Sequence, residues 1–143
     1  MRAPSRSEVV VDGGGVGLAG RTIRAAVEHV LQAEQRHARI GVTFLGKARM
    51  RRLNARCLGH DYPTDVISFP LLQPDGSTAG DICICRYVAA RNARQHKSSV
   101  RSELLRLVVH GTLHLLGHDH PSGASRTRSP MWRRQERYLA SFE

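Results

Sequence analysis

Apolar positions along the chain follow two spacings. Between Arg21 and Gln35, Ile23, Val27, Val30 and Leu31 recur every three to four residues with polar residues between them, which predicts an amphipathic helix. Before it, the β-branched run EVVVD at Glu8 to Asp12 stops at Gly13, Gly14 and Gly15 and predicts a strand; Ile40 to Leu45 predicts a second. Gly46 opens a basic stretch, KARMRRLNAR, whose apolar stripe of Met50 and Leu53 predicts a helix with an arginine face. After a turn around Gly59 to Pro63, Val66 to Leu72 reads as a buried strand with Val66, Ile67 and Phe69 in the core. The PDGS turn at Pro74 to Ser77 leads into another strand, Asp81 to Cys85, so the two can form a hairpin. Tyr87 to Lys97 has helical spacing, and Ser98 or Ser99 can cap a following helix with Glu103 in its first turns.

That following helix is the distinctive one. From Leu104 to Leu116 the only polar side chains are Arg106, His110, Thr112 and His114, so the helix is apolar nearly all round and has to be buried. Gly117 is placed to end it. Pro121 to Pro130 has loop composition and is expected to be mobile, and a short last helix carries Trp132, Leu139 and Phe142. The order of elements predicts a single domain over residues 1–143 of α+β (mixed α/β) class, with a mixed sheet of about four strands packed among helices.

Composition narrows the partners. The 143 residues suit one domain able to bury a core without disulfides or a structural metal, which leaves any metal available for chemistry. Lys and Arg number 22 against 12 acidic residues, a net charge of +10, and all but Lys47 and Lys97 are arginine. Arginine pairs with phosphate through two hydrogen bonds and stacks on bases, so the excess points to a polyanionic partner. No apolar run approaches the roughly 20 residues of a membrane span, and the first residues lack a signal-peptide core, so no membrane is expected and the cytoplasm is the expected location. Cys57, Cys83 and Cys85 form no C-x-x-C pair and read as reduced thiols without a role.

Four of the eight histidines fall within His110 to His120, H-G-T-L-H-L-L-G-H-D-H. On a helix His110 and His114 lie one turn apart on one face, and a break at Gly117 lets the chain fold back so that His120 joins them. Three neutral imidazoles suit zinc, and three protein ligands leave a fourth position open for chemistry. Two histidines satisfied by backbone carbonyls are the alternative; burying both in an apolar helix without a shared partner is costly. His118 is the histidine left out, because the one-turn spacing selects the first two and an open site needs only three. The spacing also matches the long metzincin peptidase motif, except that Gly111 stands where those enzymes carry their glutamate base.

H-G-T-L-H-L-L-G-H-D-H resembles the H-G-x-L-H-L-x-G-[YH]-D-H signature of the YbeY family of bacterial metal-dependent endoribonucleases. The stretch Pro63 to Pro70, P-T-D-V-I-S-F-P, is similar to that family's second signature, and Gly80 to Ile82 fits a third. The resemblance implies a mixed sheet with surrounding helices, one Zn2+ per chain on His110, His114 and His120, and maturation of ribosomal RNA, notably the small-subunit 3′ end, with a part in ribosome quality control. The partners would be ribosomal RNA and the small ribosomal subunit or its proteins. Many relatives carry an arginine where this chain has Leu58; Arg56 and His60 are the nearby residues available in its place.

The chemistry expected is phosphodiester cleavage with zinc lowering the pKa of a water and polarising a phosphoryl oxygen. Asp119, beside His120, is a candidate proton acceptor or a support for an imidazole, with a turn carboxylate as the plainer reading. Asp65 and Ser68, with Thr64, are candidates for lining the cleft. Arg49, Arg52 and Arg56, in a cluster with Arg51, and Arg86 and Arg91, in a second with Arg94 and Lys97, are candidates for holding an RNA backbone if the clusters flank the zinc cleft. Two rivals stand beside the ribonuclease: a non-catalytic ribosome-assembly factor with a structural metal, and a peptidase-like hydrolase, against which Gly111 argues.

Overall fold

A computed structural model describes residues 7–13, 18–119 and 129–142. The elements run β1 (Glu8–Asp12), α1 (Gly20–Ala33), β2 (Ala38–Leu45), α2 (Lys47–Leu58), β3 (Val66–Pro70), β4 (Thr78–Cys85), α3 (Arg86–Gln95), α4 (Val100–Leu115) and α5 (Pro130–Phe142). The strands form one mixed sheet in the order β1-β2-β4-β3. β1 and β4 lie parallel to β2, and β3 closes one edge as the antiparallel partner of β4, the expected hairpin. The α+β class holds.

Strand alternation sorts the side chains onto two faces. Val9, Ile40, Val42, Ile82 and Ile84 project to one face, where α1, α4 and α5 cover them with Val27, Leu105, Leu113 and Leu139. Leu45, Ile67 and Cys85 project to the other, against Met50 of α2 and Val88 of α3. α3 straddles the two, with Ala89 in the first core and Val88 in the second.

α4 is the central helix, and eleven of its sixteen residues are buried. Its start is set by Ser99, whose side chain accepts a hydrogen bond from Ser102 N at 3.0 Å. Its end is set by Gly117 at φ +99°, the left-handed conformation that follows many helices. Two glycines let α4 lie close on the sheet. A Cβ at Gly111 would stand 2.8 Å from Ile82 Cγ2, and one at Gly80 would collide with Leu115 and come within 2.7 Å of Phe69 O. Gly111→Ala is therefore expected to lose about 1 to 3 kcal/mol of stability through overpacking, read as a lower urea midpoint.

Several boundaries differ from the sequence reading: β2 starts at Ala38 and β4 at Thr78, both earlier than expected, and α3 runs from Arg86 to Gln95. β3 ends at Pro70, and Leu71 and Leu72 are 47 % and 101 % exposed rather than buried. β3 is an edge strand, so only Ile67 is fully buried and Val66 and Phe69 are half-covered. Of the expected loop at Pro121 to Pro130, residues 121–128 lie outside the described residues; Ser129 is buried and Pro130 already begins α5.

Candidate active site

His110 and His114 project from the same side of α4 as the one-turn spacing requires. Their ring centroids are 4.7 Å apart and the rings stand at 75° to one another. His110 is 7 % exposed, whereas His114 is half-buried in the last turn of the helix, where the partial negative end favours a cation. His120 lies outside the described residues, and among the described residues no three His, Cys, Asp or Glu side chains converge.

A residue absent from the sequence reading orients the first imidazole. Gln135 of α5 is 1 % exposed, and its Oε1 lies 2.7 Å from His110 Nδ1. An amide oxygen only accepts, so His110 carries its proton on Nδ1 and turns the Nε2 lone pair to coordination. A second hydrogen bond of this kind is the usual support of a metal-binding histidine, and the imidazole pair fits Zn2+. The sequence signal for Gln135 is its place on the buried stripe Met131, Gln135, Tyr138, Leu139, where a polar side chain needs a partner. Gln135→Leu is expected to weaken zinc binding by about 10- to 100-fold, measured by competition with a chelating dye, with little change in fold.

His118 is held away from that pair. Its Nε2 meets Glu34 Oε1 at 2.5 Å, and Glu34, at the end of α1, also receives Arg134 Nη1 at 2.7 Å and the Tyr138 hydroxyl. Burial works to raise the Glu34 pKa, but the hydrogen bonds from Tyr138, His118 and Arg134 and the Arg134 charge hold it at about 2 against an ordinary 4.5. This carboxylate ties the bend after Gly117 to α1 and α5.

The remaining candidates are dispersed. Asp119 is exposed, immediately before His120. Asp65 lines a cavity of about 510 Å3 together with His110 and Gln135. Its Oδ1 accepts from Val66 N at 2.8 Å, and Asn92 Nδ2 lies 3.4 Å from Oδ2, so it also fastens the start of β3. Ser68 shares its side of β3 with Val66, which packs in the α4 core, and so faces the histidine helix.

None of the candidate arginines lines the cavity at His110. Arg49, Arg52 and Arg56 form one exposed stripe on α2, which covers the sheet face opposite α4; Arg86 and Arg91 are exposed on α3. Helical spacing shows which residues point outward, but not which face of the sheet a helix covers. Leu58 is 55 % exposed at the end of α2, and the His60 ring lies against Tyr62 with centroids 5.5 Å apart. Neither they nor Arg56 reach the His110 cavity. Cys57 is exposed, Cys85 is buried, and burial with the neighbouring Asp81 charge pushes the Cys83 thiol up, away from reactivity.

The position after His110 separates two hydrolytic chemistries. A peptidase base there would be a glutamate, but Gly111 faces Ile82 of the sheet with no room for a side chain. The sequence profile described as Endoribonuclease YbeY matches residues 17–143. The chain belongs to the YbeY family. A protein named Endoribonuclease YbeY from Chloroherpeton thalassium is 39 % identical over 121 residues, 84 % of each chain. Another of that name, from Chlorobium luteolum, is 41 % identical over 115 residues, 80 % of this chain and 82 % of the relative. The solution structure of TM1509 from Thermotoga maritima superposes with a TM-score of 0.67 at 29 % identity, covering 94 % of this chain and 88 % of that one. The YbeY assignment supports an endoribonuclease, a hydrolase of phosphodiester bonds. No helix among the described residues is long and apolar enough to cross a membrane.

Proposed function

We propose that this YbeY protein is a zinc-dependent endoribonuclease of ribosomal RNA maturation, acting at the small-subunit 3′ end and in ribosome quality control. The observation that carries the metal is the His110 imidazole, buried, paired with His114 and fixed through Nδ1 by Gln135. His110, His114 and His120 would hold one Zn2+. When bound, the ion supplies Lewis acidity toward a phosphoryl oxygen and lowers the pKa of a water.

The chain's own groups do the rest. Gln135 keeps the His110 proton on Nδ1, and the Glu34 cluster fixes the bend that leads to His120. Asp119 accepts a proton at a carboxylate oxygen, from water or from the RNA 2′-OH, and Ser68 donates to a phosphate oxygen from the α4 side of β3. Asp65 holds the strand entry beside the cleft. The arginine stripe on α2, with Arg86 and Arg91, holds ribosomal RNA away from the reacting bond and supplies affinity rather than sequence choice. The small subunit or its proteins then select the site.

The test offers the zinc-loaded chain a precursor fragment spanning the small-subunit 3′ end and an unrelated structured RNA of equal length. Preferential cleavage of the precursor, falling steeply between 50 and about 200 mM salt, is the expected result. Binding without cleavage under any divalent metal would leave an assembly factor in place of an enzyme. A 2′,3′-cyclic phosphate end with a 5′-hydroxyl would assign the attack to the 2′-OH, and a 3′-hydroxyl end with a 5′-phosphate would assign it to water.

A further inference from the structure

The cavity beside His110 is unlike the rest of this basic surface. Its walls come from α3, the α3–α4 turn, α4, α5 and the start of β3, and it encloses about 510 Å3. Its one arginine is engaged through both terminal nitrogens, Arg106 Nη1 lying 3.4 Å from Glu103 Oε2 and Nη2 3.2 Å from Glu136 Oε1, which leaves Nε as its one donor without a partner among the described residues. A phosphate would therefore compete with two carboxylates for that guanidinium and meet Asp65 as well. A neutral, polar, flat occupant meets no such conflict.

The walls supply what such an occupant needs. Trp132 offers an indole surface, and Asp65 and Asn92 offer an acceptor and an amide in a loose 3.4 Å contact. Among the described residues, three that line the cavity carry a buried polar atom with no hydrogen-bond partner: Gln135 Nε2, Ser98 Oγ and Arg106 Nε. Gln135 is 1 % exposed. A buried amide donor left unsatisfied is costly and marks a place where a ligand group completes the bonding. Because Gln135 Oε1 is engaged by His110, Nε2 is the end of the amide left to bond an occupant, one residue removed from the candidate metal ligand.

We propose that this cavity is a nucleobase pocket that receives one RNA base next to the scissile phosphate, stacked on Trp132 and hydrogen-bonded by Gln135 Nε2 and Ser98. The proposal rests on the nuclease reading for its biological meaning, but its test does not. The pocket would add local sequence preference that the arginine stripe lacks.

Trp132 is the chain's only tryptophan, so its emission reports on this cavity alone. The full chain, with chelator present, is titrated with each of the four nucleoside 5′-monophosphates, with free tryptophan as the control for absorbance. Saturable quenching that differs among the bases is expected, with none from ribose 5-phosphate. Ser98→Leu, which fills the cavity from the α3–α4 turn, is expected to weaken the quenching by about tenfold at an unchanged unfolding midpoint. Trp132→Leu, followed by equilibrium dialysis, is expected to lose nucleotide affinity by about tenfold, the worth of one base stack. Equal quenching by ribose 5-phosphate, or no quenching by any nucleotide, would overturn the pocket. Zinc-dependent RNA cleavage without nucleotide quenching defeats the pocket alone; quenching without cleavage defeats the nuclease reading and leaves the pocket standing.

Discussion

His114→Ala is expected to abolish RNA cleavage, by about a thousandfold or more, and to remove zinc from the purified chain. On the proposed reading, the loss of one imidazole leaves too few donors to hold the ion, and several kcal/mol of charge stabilisation goes with it. His114 is half-buried in the last turn of α4 and the helix core does not depend on it, so the variant should fold with an unfolding midpoint close to that of the zinc-free wild type. RNA binding should survive, because the arginine stripe lies on the other side of the sheet. Metal content, cleavage and binding measured on one preparation separate these outcomes. Full cleavage in the variant would remove His114 from the chemistry, and loss of binding along with cleavage would place the RNA on α4 instead of α2.

The second large effect is on stability. Glu34 is 8 % exposed at its side chain and receives Arg134, His118 and the Tyr138 hydroxyl. Glu34→Leu leaves those three groups without their acceptor. The expected loss is about 3 kcal/mol, the low end for breaking a buried ion pair, because Arg134 and His118 keep part of their surface in water. The same carboxylate gives a pH signature. Its folded pKa of about 2 lies below the ordinary 4.5, so its contribution is complete above pH 4.5 and is lost as the pH falls toward 2. That drop corresponds to roughly 3 kcal/mol. Urea unfolding of wild type should show this decline in that window, and Glu34→Gln should be flatter there. Coincident slopes for the two proteins would show that the cluster contributes nothing to stability.

The site was legible where local chemistry is strong. An apolar helix with two histidines one turn apart admits few readings, and Ser99 and Gly117 mark its ends by hydrogen bonding and backbone conformation. The β3–β4 hairpin followed from its turn residues. What remained hidden is long-range. Gln135 stands 25 residues from His110, and Glu34 stands 84 from His118; neither carries a local mark of its partner. The strand order β1-β2-β4-β3, and with it the placement of α2 across the sheet from α4, depends on which faces pack together rather than on any one segment. Gly111 shows both sides: its identity argued against a peptidase, while the reason for a glycine there, the Ile82 side chain at 2.8 Å, needed the fold.

Whether the ion is required for cleavage is decided by a zinc titration of chelator-stripped protein, following bound metal by native mass spectrometry and cleavage of a small-subunit precursor RNA in the same samples. No cleavage at zero zinc, a linear rise, and a plateau at one ion per chain are expected. Cleavage at the plateau rate by protein carrying no metal would contradict that requirement.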